Sequence, residues 1–187
     1  MKQLMMRNLK NAQVKIQNAS DSELDNPNFE SNLIKSNRIE LPYLDKKNFT
    51  KKIGNELVTI NNAPEKFPIG PNADYVIISV SVKGSLKVFK SRAGYLVDGR
   101  KTLLYNDILS YKEFSSQPIK NNDKIIEQIN NNAKKTFGNF ELAINKAQTE
   151  LEEYHALLEQ TIKKEITKVK KHRRDKKDTE DKINPFK

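Results

Sequence analysis

Tyr75-Val76-Ile77-Ile78-Ser79-Val80-Ser81-Val82 is the stretch on which the fold turns. Val76, Ile78, Val80 and Val82 recur every second residue, so they share one face of an extended strand, and β-branched side chains suit that pleated surface. Upstream, Glu56-Leu57-Val58-Thr59-Ile60 predicts a shorter strand. It ends at an irregular stretch punctuated by Pro64, Pro68, Gly70 and Pro71. Downstream, Gly84 permits a turn before Leu86-Lys87-Val88-Phe89-Lys90, which reads as another strand. Residues 94–97 and 102–111 then predict two strands flanking Asp98-Gly99, a dipeptide suited to a tight hairpin. Neighbouring strands joined by short turns favour an antiparallel sheet of about four or five strands.

On both sides of this sheet the period changes. Leu4, Met5, Leu9, Val14 and Ile16 allow an amphipathic helix over residues 1–18. Pro27 marks a break, because it disfavours helical torsions at Asn26. Phe29, Leu33 and Ile34 then predict a second short helix, and Arg38-Ile39-Glu40-Leu41-Pro42-Tyr43-Leu44 reads as extended. Beyond the sheet, Ile126, Ile129, Ala133, Phe137, Phe140, Ile144, Ala147, Leu151, Tyr154, Leu158, Ile162, Ile166 and Val169 step by threes and fours. Their mean spacing is about 3.6 residues, the α-helical period. Asn122 or Asp123 can cap this helix. At 1.5 Å per residue the stripe would run roughly 65 Å. Gly138 offers a break, so the pattern fits one long helix, coiled-coil-like, or two packed helices joined at residues 136–139.

The expected architecture is therefore α+β: short N-terminal helices, a small antiparallel sheet and a long C-terminal helical arm. It divides into a globular domain over residues 1–120, the arm over 121–175 and a flexible basic tail over 176–187. A stripe longer than the body needs cover. Phe137, Phe140, Ile144, Leu151, Tyr154, Leu158 and Ile162 are thus the candidate docking surface, for a separate effector protein or a second copy of the chain.

The chain has 187 residues with 34 basic and 24 acidic side chains, a net charge of +10, and only 36% hydrophobic residues. Lys163, Lys164, Lys168, Lys170, Lys171, Arg173, Arg174, Lys176 and Lys177 fall within fifteen residues that hold two acids, Glu165 and Asp175. Most of the excess charge therefore sits at the end of the helix. Such a cluster can release counterions condensed on DNA or RNA. It also suits the negative end of a helix dipole. Interleaved aromatics are missing, so the first seven of these cations would grip phosphate without stacking on bases.

No catalytic constellation is legible. There is no cysteine, which removes disulfides, thiolate nucleophiles and cysteine-held metal centres. The two histidines, His155 and His172, lack the spacing of a zinc hydrolase; His155, among glutamates, reads as a surface or partner-facing side chain. No phosphate-cradling glycine loop is present. The inventory points to a protein that is not an enzyme and needs no cofactor or metal. No apolar stretch reaches membrane-spanning length, and the start MKQLMMRNLKNAQVK lacks the features of a secretory signal, so a cytoplasmic setting is expected.

Four stretches carry a family likeness. Arg38-Ile39-Glu40-Leu41-Pro42-Tyr43-Leu44-Asp45, the run from Val80 through Gly84 to Arg92, Asn106-Asp107-Ile108-Leu109-Ser110-Tyr111, and the helix beginning Glu150-Leu151-Glu152-Glu153-Tyr154 are its elements. Together, over about residues 1–175, they resemble the N-terminal module of bacterial defence proteins that carry a C-terminal restriction-endonuclease-like domain. Ala93 departs from that pattern, which has proline there, and Val82-Lys83 stands where Phe-Thr is frequent. The resemblance implies a non-catalytic sensing or scaffolding subunit of an antiviral defence system. The effector would then be a separate chain, bound or regulated through the helical arm, or be absent. The cluster at 163–177 implies the alternative, a nucleic-acid-binding module.

Overall fold

The computed structural model describes residues 1–63 and 67–183. The chain is α+β and divides into two compact units, Glu40–Gln148 and a unit made of Met1–Ile39 with Thr149–Lys187. This differs from the expected split into a body over 1–120 and an arm over 121–175. The stripe of apolar residues is shared between two cores, one in each unit, instead of forming one protruding ridge.

In the unit Met1–Ile39 with Thr149–Lys187, α1 (Lys2–Asn18) buries Ala12 and Ile16. It ends where Ala19 turns extended. Ser20 then starts α2 (Asp21–Leu24) through a reciprocal capping box. The Glu23 N–H donates to Ser20 Oγ (3.3 Å), and the Ser20 N–H donates to Glu23 Oε2 (2.7 Å). After Pro27 comes α3 (Phe29–Asn37), which buries Leu33 and Asn37. From α6 (Gln148–Lys182), Leu151, Tyr154, Leu158 and Ile162 are buried. The Asn37 carbonyl ties these helices together, accepting from the Tyr154 hydroxyl (2.8 Å) and from Asn8 Nδ2 (3.1 Å). The tail expected to be flexible from residue 176 is helical through Lys182. Extending an existing helix adds one hydrogen bond per residue without a new nucleus. Lys176 and Glu180, one turn apart, pair at 3.7 Å along it. Residues 184–187 of that tail, like Pro64 of the expected loop, lie outside the described residues.

In the unit Glu40–Gln148, β1 (Tyr43–Leu57), β2 (Asn72–Lys83), β3 (Thr102–Tyr105) and β4 (Ile108–Ser115) form one antiparallel sheet in the order β1-β2-β4-β3. Val80 and Val82 of β2, Leu109 and Tyr111 of β4 and Leu44 of β1 pack with Ala133, Phe137, Phe140 and Ile144 of α5 (Asp123–Asn145). Phe89 stacks on Phe140 at 5.8 Å between ring centroids, and the Tyr111 ring meets Phe137 edge-on at 6.4 Å. Period-2 alternation sends Tyr75, Ile77 and Phe114 to the other sheet face, where Val58, Ala63 and Phe67 pack with them. The α5 helix is capped by Asn122, whose side chain accepts from the Ile125 N–H, and it runs through Gly138 without a break. The interruption lies eight residues later, at Lys146 and Ala147.

Four sequence expectations in this unit change. The strand expected over residues 56–60 ends at Leu57, the last residue of β1. Leu86–Ala93 is a helix, α4, instead of a strand. Ser85 Oγ accepts from the Val88 N–H at its start, and the buried set Val88, Phe89 and Ala93 follows a helical spacing. Residues 94–96 form a single 3-10 turn. The hairpin sits at Asn106-Asp107, with Asn106 at φ 54°, so the expected strand 102–111 is two strands, β3 and β4.

Candidate nucleic-acid interface

All seven residues read as a docking surface are buried within the chain. Phe137, Phe140 and Ile144 belong to the core under the sheet, and Leu151, Tyr154, Leu158 and Ile162 are 0–4% exposed. They have already removed their apolar surface from water, so none is free to meet a partner in this conformation. His155 is half-buried. Its Nε2 lies 3.1 Å from the Ile39 carbonyl oxygen and 3.4 Å from the Ile39 N–H, bridging α6 to the end of the α3 segment. Tyr154 is held above the ordinary phenol range by burial.

The seven cations separate into two groups on α6. Lys170 Nζ donates to Asp25 Oδ1 at 2.7 Å, and Arg173 Nη1 donates to Asp21 Oδ1 at 2.6 Å. Arg173 also donates to the carbonyls of Ala19 (2.7 Å) and Gln17 (3.2 Å), closing the last turn of α1. Lys163 reaches Glu30 only at 3.9 Å. Arg174 is exposed, and its field helps hold the Asp25 carboxyl below the usual range; the hydrogen bond and charge of Lys170 are the larger causes.

Lys164, Lys168 and Lys171 are different. They are exposed and have no acidic partner among the described residues. Their i, i+4, i+7 spacing puts them within an arc of about 60° and along roughly 10 Å of helix axis. The buried row Leu151, Tyr154, Leu158 and Ile162 occupies the other side of the same helix. A fully hydrated row of ammonium groups on a stiff rod can meet successive phosphates at little conformational cost to the backbone. With no Phe, Tyr or Trp among residues 163–177, it is suited to gripping a backbone more than to stacking on bases.

Sequence reasoning missed Asp21 and Asp25, which neutralise part of the cluster from about 150 positions away. The Ser20-x-x-Glu23 capping signature announces the short helix that carries Asp21 and leads into Asp25, yet no local pattern says which helix it faces. Among the described residues, no group of three metal-ligating side chains gathers, and no helix is long and apolar enough to cross a membrane. No family model, curated protein or solved structure matches this chain.

Proposed function

We propose that the protein is a nucleic-acid-binding module that holds the phosphate backbone of DNA or RNA through Lys164, Lys168 and Lys171. The observation that carries this reading is the contrast around α6: these three cations face solvent without acidic partners among the described residues, whereas Leu151, Tyr154, Leu158 and Ile162 on the other side are buried. Charge-assisted contacts to phosphate supply affinity and orientation without sequence readout. The other reading, a scaffold that grips an effector through the helical arm, loses the surface it was built on. The resemblance to defence proteins is compatible with a nucleic-acid-holding module; association with an effector would need residues other than the seven in the ridge.

The test is fluorescence anisotropy with labelled duplex and single-stranded DNA and RNA between 50 and 200 mM salt. Three phosphate contacts on duplex DNA predict about a 40-fold fall in affinity over that range. The triple replacement K164E/K168E/K171E should abolish retention while leaving the helical circular dichroism intact, since all three side chains are exposed. Equal retention by the triple variant and the wild type overturns the proposal.

A further inference from the structure

The inward-turned cations of α6 border a groove of about 750 Å3 whose lining includes Asp21, Asp25, Lys170, Arg173, Arg174 and Lys177. Within each of its two ion pairs the partners differ in exposure. The side chains of Asp21 and Asp25 are 77% and 70% exposed, whereas those of Arg173 and Lys170 are 31% exposed. The cations are therefore seated and the carboxylates are not. Arg173 is fixed independently of its acid, because the backbone carbonyls of Ala19 and Gln17 hold its second nitrogen. The donor pointing at Asp21 thus stays aimed into the groove if that carboxylate swings away into water. Lys170 and Arg174 lie around Asp25 in the same groove, the one through a hydrogen bond and the other through its field.

A carboxylate and a phosphodiester present the same feature to such donors, a pair of oxygens sharing one negative charge. Replacing an exposed carboxylate by a phosphate therefore leaves the pairing of the cation unchanged and returns the carboxylate to water, where ion pairs of this kind are worth little. Against the exchange stands the tether, which keeps each carboxylate beside its cation at a high effective concentration; with the carboxylate removed, a phosphate bound there frees condensed counterions.

We infer that Lys170, Arg173 and Arg174 form a second phosphate subsite for the same nucleic-acid backbone, occupied in the free protein by the side chains of Asp21 and Asp25. This rests on the reading of Lys164, Lys168 and Lys171 as the primary contact. The internal acids set the affinity of the whole face: with them in place the protein uses three strong contacts, and without them it gains two more.

The experiment compares the full-length chain with D21N/D25N, using a labelled 20-base-pair DNA duplex across 50–200 mM salt. D107N/E127Q, in the other unit, serves as the control because it makes the same change in net charge with exposed residues off α6. Two added phosphate contacts should tighten binding at 50 mM and steepen the loss over the salt range by about a further 12-fold, with the control keeping the wild-type slope. A D21N/D25N slope equal to that of the control overturns the inference. If K164E/K168E/K171E still abolishes binding in that case, the primary reading survives alone; if no variant binds at all, both fall. Thermal unfolding of each variant confirms that the comparison is between folded proteins.

Discussion

Leu157 and Leu158 are adjacent in α6 and should behave oppositely when truncated. Leu158 is completely buried, whereas Leu157 is 49% exposed. Changing Leu158 to Ala removes three carbons from the core, about 2.4 kcal/mol at roughly 0.8 kcal/mol per buried methylene. A partly collapsed cavity adds to this, for a total of about 3 kcal/mol within the ~2–5 kcal/mol range of such substitutions. Leu157→Ala removes the same atoms from a site that water already reaches, and about 1 kcal/mol or less is expected. Urea unfolding followed at 222 nm reads the difference, and light scattering on the same samples reads the mass. The expected outcome is a lower midpoint for Leu158→Ala with no change in mass. A variant with wild-type stability but a smaller particle would show that the α6 ridge joins chains, and the burial argument would be wrong.

Two glycines with similar torsions should separate steric from conformational cost. Gly84 has φ +79°, and an added Cβ would lie 2.6 Å from the Leu41 carbonyl oxygen; Gly99 has φ +73° with open space around it. Gly99→Ala should cost about 1–2 kcal/mol from the left-handed torsion alone, and Gly84→Ala clearly more, since backbone must move; equal urea midpoints would refute this. Asp98 accepts from the N–H groups of Lys101 (2.7 Å), Arg100 (2.8 Å) and Thr102 (2.8 Å). Burial pushes its carboxyl up, but these donors together with the Thr102 hydroxyl outweigh burial and hold it below the ordinary range. A carboxyl lowered by folding stabilises above its unfolded pKa and loses that contribution as pH falls through the folded one. Asp98→Ala should therefore cost about 1 kcal/mol at pH 7, by analogy with a lost cap, with the gap to wild type closing as the medium is acidified below about pH 4. A gap that is constant from pH 7 to pH 3 would argue against the turn anchor.

Local patterns carried much of the fold. The alternation at Val76, Ile78, Val80 and Val82 is what places those residues on the helix-covered side of β2, and the threes-and-fours from Ile126 onward are two real helical faces. The failures have local causes too. Leu86-Lys87-Val88-Phe89 satisfies an alternating pattern as well as a helical one, and the arbiter was Ser85 acting as a cap. Glycine at 138 suggested a break, yet an interior glycine costs only about 1 kcal/mol, less than the packing of Phe137 and Phe140 on either side supplies. Lys46, Lys47, Lys51 and Lys52 hid most of β1, because an edge strand with exposed side chains shows no alternation to read. Of the candidate site, the positions of the cations were legible and their availability was not.

Period and charge are properties of neighbours in the chain, so the sequence by itself determined that α6 is amphipathic, that its end is strongly basic, and that a β-branched strand anchors a small antiparallel sheet. Which surface stays wet is a property of neighbours in space. Only the tertiary structure decided that the apolar row is consumed by its own cores, that Asp21 and Asp25 reach Arg173 and Lys170, and that Lys164, Lys168 and Lys171 are left to the solvent. The reason is physical: burial and ion pairing are contests among groups far apart in sequence, and folding settles which of them meet.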